Sequence, residues 1–239
     1  MKIDIKVPRS WEELSAKQLE FVFKLLTMEL SAMENKVVLL LRWNKLDIVD
    51  RNTDGYIICN PRKMTGSIST EAIAELTTYL DWLDRLPTAP LRPEKLAGHK
   101  ALPADLGGVP FETLLIIDNY YQGYLRTKDE SLLDEMGQVL YNWNNHRFLP
   151  WQRVAVFYWI ASLKEWMAKK FPTLFRPVAS TSLAPASVEE SMNTQIRALT
   201  KGDITKEAAV LAMDCHRALA ELEAQAKEYL ELKRLNIEH

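Results

Sequence analysis

With 239 residues, 47% of them hydrophobic and 26% charged, the chain is long enough to bury a sizeable core and ordinary enough in composition to be globular. A formal net charge of −2 supplies no basic face for duplex nucleic acid, and the longest apolar run, Val37 to Leu41, falls far short of the roughly 20 residues a membrane span needs. Two cysteines, Cys59 and Cys215, are too few for a disulfide framework and read as buried free thiols.

The N-terminal residues alternate charge with apolar side chains and lack the apolar stretch of a secretory signal, so a cytoplasmic location is expected. Lys2 to Val7 reads as a short strand ended by Pro8. Ser10 with Glu13, and Ser15 with Gln18, have the spacing of capping boxes, the second opening a helix with Leu19, Val22, Phe23 and Leu26 on one side. A second helix is expected from Met33 to Leu46, with Val37 to Leu41 deeply buried. Ile48-Val49 and Tyr56 to Cys59 are β-prone and flank Asn52-Thr53-Asp54-Gly55, where Asp-Gly tolerates the positive φ of a tight turn. A small hairpin follows, joined by the N-terminal strand in a three-stranded alternative.

Ser69 or Thr70 opens a helix to Leu86 carrying Ile73, Leu76, Leu80 and Leu83. The proline-rich stretch 87–110 then reads as a long irregular connection, of a length that marks it as a docking loop. Helices resume over Phe111 to Leu125, Ser131 to Trp143 and Pro150 to Lys170, the last dense in Trp151, Phe157, Tyr158, Trp159 and Trp166. After Arg176 the only aromatic residue is Tyr229, and residues 178–187 are small and polar, as in a flexible linker. Val188 to Thr200 forms a further helix, Lys201-Gly202-Asp203 supplies a cationic last turn, a glycine stop and a new N-cap, and Thr205 to Asn236 forms one helix of about 45 Å. Its stripe of Ala208, Leu211, Cys215, Ala218, Leu222, Ala226 and Tyr229 needs a surface to pack on.

The expected fold class is mainly α: a multi-helix body with a small N-terminal β-hairpin or three-stranded sheet (1–177), a linker (178–187), and a C-terminal helical hairpin with one long helix (188–239). No cofactor or metal is expected. The chain has no P-loop, dinucleotide fingerprint, zinc-protease motif or nucleophile elbow, and His99, His146, His216 and His239 stand apart in sequence. Cys215 and His216 are neighbours, yet adjacent helical residues point about 100° apart, which argues against a nucleophile pair. Glu12-Glu13, Glu189-Glu190 and Asp81/Asp84 read as helix-start charges or solvated faces.

Gly98 to Asp105, Val109 to Thr113, Tyr121-Gln122-Gly123-Tyr124, Val156 to Trp159 and Gln195 to Glu207 resemble a family of uncharacterised prophage-encoded proteins of gut bacteria. That resemblance covers most of the chain and implies a morphogenesis role, as a tail-assembly chaperone or minor tail component, with no catalytic residues to carry over. The expectation is therefore a non-enzymatic protein whose partners are other phage-type structural or assembly proteins, or a second copy of itself. Leu211, Leu222 and Tyr229, with the Lys201-Gly202-Asp203 turn, are the candidate contacts, acting as apolar anchors in helix-in-groove recognition. Two alternatives stand beside it. One is a nucleic-acid-associated protein using region 150–177, where Arg153, Lys164, Lys169, Lys170 and Arg176 interleave with aromatics against Glu165 alone. The other is an enzyme without a recognisable motif.

Overall fold

The computed structural model describes residues 5–176 and 188–235. The chain is 58% helical, with a small three-stranded antiparallel sheet near the N-terminus and helices at the C-terminus. No helix among the described residues is long and apolar enough to cross a membrane. Packing divides the chain into two compact units, Met1–Pro87 with Pro150–Ala155, and Thr88–Leu149 with Val156–His239. This division differs from the one expected at 178–187, a segment that lies outside the described residues. Residues 188–235 are not set apart, because their helices pack on the helix that begins at Phe111.

In the first unit, α1 (Ala16–Leu25) and α2 (Ala32–Trp43) each open on a complete capping box, Ser15 with Gln18 and Ser31 with Glu34. Ser10 makes no such cap, because the Glu13 carboxylate accepts from the Arg9 N–H instead, 2.8 Å away. Strands β1 (Asp47–Arg51), β2 (Gly55–Cys59) and β3 (Thr65–Ser69) form the sheet in that order. The N-terminal strand expected at residues 2–7 is absent where it is described. Ile5 to Val7 are not strand, and the Asn44 side chain accepts from Lys6 N and donates to Lys6 O, taking up the groups a neighbouring strand would have used.

Ile58 and Ile68 from one face of the sheet bury against Leu46 and Ile73, the latter on α3 (Thr70–Thr78). Within the apolar run of α2, Leu39 and Leu40 are deeply buried as expected, while Val37, Val38 and Leu41 are half-buried. The buried neighbour is Lys36, its side chain 9% exposed, with the ammonium 2.6 Å from both Asp81 and Asp84. Those two carboxylates sit on a 3₁₀ turn, Asp81–Asp84, where residues three apart lie one above the other. The helix expected to reach Leu86 stops at Thr78, and Asp81 and Asp84 beyond it clamp a lysine while their carboxylates stay exposed to water. Burial by itself would lower the Lys36 ammonium, but the bonds to Asp81 and Asp84 outweigh it and raise it.

The second unit holds α4 (Phe111–Thr127), α5 (Ser131–Tyr141), most of α6 (Pro150–Lys170), α7 (Val188–Thr200), a short α8 (Glu207–Leu211) and α9 (Cys215–Leu235). In α6, Val156, Trp159, Ile160 and Leu163 are all buried. The stretch 87–110 is tied down along its length. It contains a two-residue hairpin between β4 (Lys95–Leu96) and β5 (His99–Lys100), turned at Ala97 and Gly98, both with positive φ. Tyr141 Oη donates to Pro93 O at 3.0 Å, Leu102 N to Leu140 O at 2.8 Å and Trp159 Nε1 to Ala104 O at 2.7 Å, while Leu96, Leu106 and Val109 are buried.

The single helix expected over 205–236 is broken. Phe111 N donates to Met213 O at 2.8 Å and Cys215 N donates to Val109 O at 2.9 Å, so residues 213–215 pair with 109–111 as a short antiparallel bridge. A carbonyl and an N–H committed sideways cannot continue a helical ladder. Asp214 then restarts the helix: its carboxylate accepts from Arg217 N at 2.9 Å and from Gly108 N at 2.7 Å. The N–H of Arg217 foremost, with that of Gly108, holds this carboxyl below the usual aspartate range.

Two substitutions check this account. Asp214→Ala is expected to destabilise the protein by about 1–2 kcal/mol in denaturant titration. Because the native carboxyl is depressed, its contribution is complete above the ordinary aspartate range and is lost as pH falls through and below it. The variant should therefore show a flatter acid limb than the parent. At Gly55, an added Cβ would lie 2.7 Å from Ser69 Cα and closer still to Ile68 O. Gly55→Ala should cost about 1–3 kcal/mol, read as a drop in melting temperature.

Candidate functional site

The inner face of α9 is fully occupied by its own unit, since Cys215, Ala218, Leu219 and Leu222 are all buried. The Cys215 thiol donates to Leu106 O at 3.1 Å, and burial, then the Asp214 and Asp105 carboxylates, push it up to about 12. His216 faces elsewhere. Its Nε2 lies 2.6 Å from Asp105 O and its Nδ1 lies 3.1 Å from the Lys170 ammonium. An ammonium only donates, so Nδ1 accepts and Nε2 carries the hydrogen. The pair is thus two separate clasps on the 105–106 loop, with no sulfur activated by imidazole.

Farther along α9, Glu223 is buried to a side-chain exposure of 7% and accepts from two backbone N–H groups, Thr173 at 3.0 Å and Leu174 at 2.6 Å, with Lys227 3.2 Å away. Burial would raise this carboxyl, but those N–H groups and Lys227 outweigh it and hold it below the usual glutamate range. The clasp pins the turn after α6 against α9. Beside it opens a groove of about 440 Å3 lined by Thr173, Arg176, Lys227, Leu230, Glu231, Lys233 and Arg234. Beyond the clasp α9 runs out of surface to cover. Tyr229, Leu232 and Leu235 are 65%, 61% and 59% exposed.

The residues singled out from sequence divide accordingly. Leu222 is buried within its own unit, Leu211 is half-buried and Tyr229 is exposed. The Lys201-Gly202-Asp203 turn does the connecting work that its composition predicted. Lys201 and Gly202 have φ of 54° and 80°, Gly202 N donates to Arg197 O, and the Asp203 carboxylate accepts from the hydroxyl and N–H of Thr205. A second groove, about 390 Å3, lies beside this turn between Arg197, Thr200, Gly202, Ile204 and Glu207. The turn and the outer end of α9 are separate features, each with its own groove.

Among the aromatic residues in 150–176, Trp151, Tyr158 and Trp166 are half-buried. Trp159 and Phe171 are buried, and Phe157 packs against Tyr121 and Tyr124. Lys164 pairs with Asp118 at 2.7 Å, Lys169 with Glu165 at 2.8 Å, and Lys170 with His216. Arg176, whose side chain is exposed, instead joins the α9 groove. His99 and His146, far apart in sequence, each stack on the Trp143 ring, with centroids 4.2 and 3.3 Å away. No group of three metal-binding side chains occurs among the described residues.

Missed from sequence was the convergence of Arg176 on Lys227, Lys233 and Arg234. The spacing of Lys227, Leu230 and Arg234 by three and four is a legible helical face. Arg176 joins it only through the Glu223 clasp. No family model matches the chain, no curated protein matches it, and no solved structure matches its fold.

The thiol geometry is open to direct measurement. Cys215 should resist Ellman's reagent in the native protein at neutral pH and react only on unfolding, whereas the half-buried Cys59 should react natively but slowly. Rapid native labelling of Cys215, located by peptide mapping, would contradict the packing described.

Proposed function

We propose that this chain is a non-enzymatic assembly protein of a phage or prophage particle, of tail-assembly-chaperone or minor-tail type. On this reading it works in the cytoplasm and binds its partner through the outer end of α9. The observation that carries the proposal is the contrast along that one helix. Its first half is locked into the second unit by Cys215, Ala218, Leu219 and Leu222, while Tyr229, Leu232 and Leu235 project from the other half into solvent. A helix anchored at one end and apolar on its exposed end is a ready surface for helix-in-groove or helix–helix recognition. The morphogenesis role draws on the resemblance of Gly98 to Asp105, Val109 to Thr113 and Gln195 to Glu207 to prophage-encoded proteins.

Tyr229 remains an anchor from the sequence reading, and Leu232 and Leu235 take the places of Leu211 and Leu222. Removing residues 187–239 would be a poor test, because α7, α8 and α9 pack against α4 and their loss would strip a core. The informative variant is Tyr229→Ser with Leu232→Ser, assayed by pull-down against the purified products of the genes flanking its own. The expected result is a loss of affinity of about tenfold or more with an unchanged melting temperature. Undiminished capture by this variant would sink the proposal.

A further inference from the structure

We infer that the groove between residues 173–176 and the last two turns of α9 receives an acidic protein segment, one that carries carboxylates beside apolar side chains. This rests on the reading that the outer end of α9 is the docking surface, and it names the chemistry of what docks there. Arg176, Lys227, Lys233 and Arg234 line the groove against Glu231 alone. Lys227 has a partner in Glu223, but that carboxylate also serves the N–H groups of Thr173 and Leu174. Arg176, Lys233 and Arg234 form no ion pair among the described residues. Elsewhere Lys24, Lys169 and Lys206 each pair with a carboxylate three or four residues away, whereas the exposed Lys17, Lys45 and Lys63 form no ion pair among the described residues; the groove differs in that its cations converge on one cleft.

The carbonyl end of α9 accounts for Lys233 and Arg234, since cations are favourable there. It does not account for Arg176, which the Glu223 clasp brings in from a different segment. The result is a concentrated cationic groove in a chain of net charge −2. Carboxylates suit it because each guanidinium presents a planar fork that matches a carboxylate. A nucleic-acid strand suits it less well. Lys227 to Arg234 spans only about 10 Å of helix, too short for a backbone track, and the exposed neighbours are Tyr229, Leu232 and Leu235, a single ring rather than a series on which successive bases could stack. A segment with both acidic and apolar residues satisfies the groove and the exposed face together.

The test uses the full chain and fluorescence anisotropy with a short labelled peptide of glutamate, aspartate and leucine. Its glutamine and asparagine counterpart, a single-stranded DNA oligomer and inorganic pyrophosphate serve as competitors. The acidic peptide should bind and its neutral counterpart should not. Replacing Arg176, Lys233 and Arg234 together by serine should weaken binding about tenfold or more, whereas replacing the paired Lys24, Lys169 and Lys206 by serine should change it by no more than about twofold. Arg176→Glu alone, on the opposite wall from α9, should give a loss in the same direction and serves if the combined variant loses helicity. Equal losses in the two serine sets, equal binding of the neutral peptide, or tighter binding of DNA or pyrophosphate would each overturn the inference. If the acidic peptide fails to bind while Tyr229→Ser with Leu232→Ser still abolishes partner capture, the acidic chemistry is wrong and the docking surface stands. If neither variant set affects capture, the functional reading falls with it.

Discussion

One aspartate carboxylate determines where the last helix of this protein begins. Asp214 accepts from Arg217 N and Gly108 N, and the backbone on either side of it is paired with Val109 and Phe111. This junction ends α8, starts α9 and fixes the incoming 87–110 connection to the same point. With the start fixed, the 3.6-residue period of the helix turns Cys215, Ala218, Leu219 and Leu222 inward. The outer end is exposed as a consequence: an α9 of 21 residues starting at Cys215 runs past the described residues that pack on it, leaving Tyr229, Leu232 and Leu235 in solvent.

The buried polar groups follow a common logic. Lys36 between Asp81 and Asp84, Glu223 between Thr173, Leu174 and Lys227, and the indole of Trp159 against Ala104 O each tie together segments remote in sequence. Each would be costly to leave unpaired and contributes mainly by having its partner in place. Chemistry-bearing side chains have been drawn into these clasps. Cys215 and His216 hold a loop, and the lysines of α6 are matched by Asp118, Glu165 and His216. What this leaves at the outer end of α9 is charge and apolar surface without an internal use, and the functional reading rests on that surplus.

Much of the architecture was legible along the chain because it depends on local rules. The capping serines Ser15 and Ser69, the Asp54-Gly55 turn, the start of α6 at Pro150 and the glycine stop at Gly202 all act within a few residues. The failures share a different cause. Ile5 to Val7 are bonded at Lys6 through the Asn44 side chain rather than as strand, the expected long helix was interrupted at residues 212–214, and 87–110 was packed rather than loose. In each case a distant segment supplied hydrogen-bond partners that no local pattern records.

The sequence by itself determined a mainly helical protein with a small antiparallel sheet, and an amphipathic C-terminal segment that had to find something to pack on. Periodicity and capping suffice for that because they are properties of neighbouring residues. Only the tertiary structure decided which part of that segment was covered. Leu222 and Tyr229 belong to one stripe, and nothing in their spacing distinguishes them, yet one is buried and the other is 65% exposed. Among the described residues the difference arises because α6 ends at Lys170 and its following turn, held by Glu223, covers α9 no farther than the groove at Arg176.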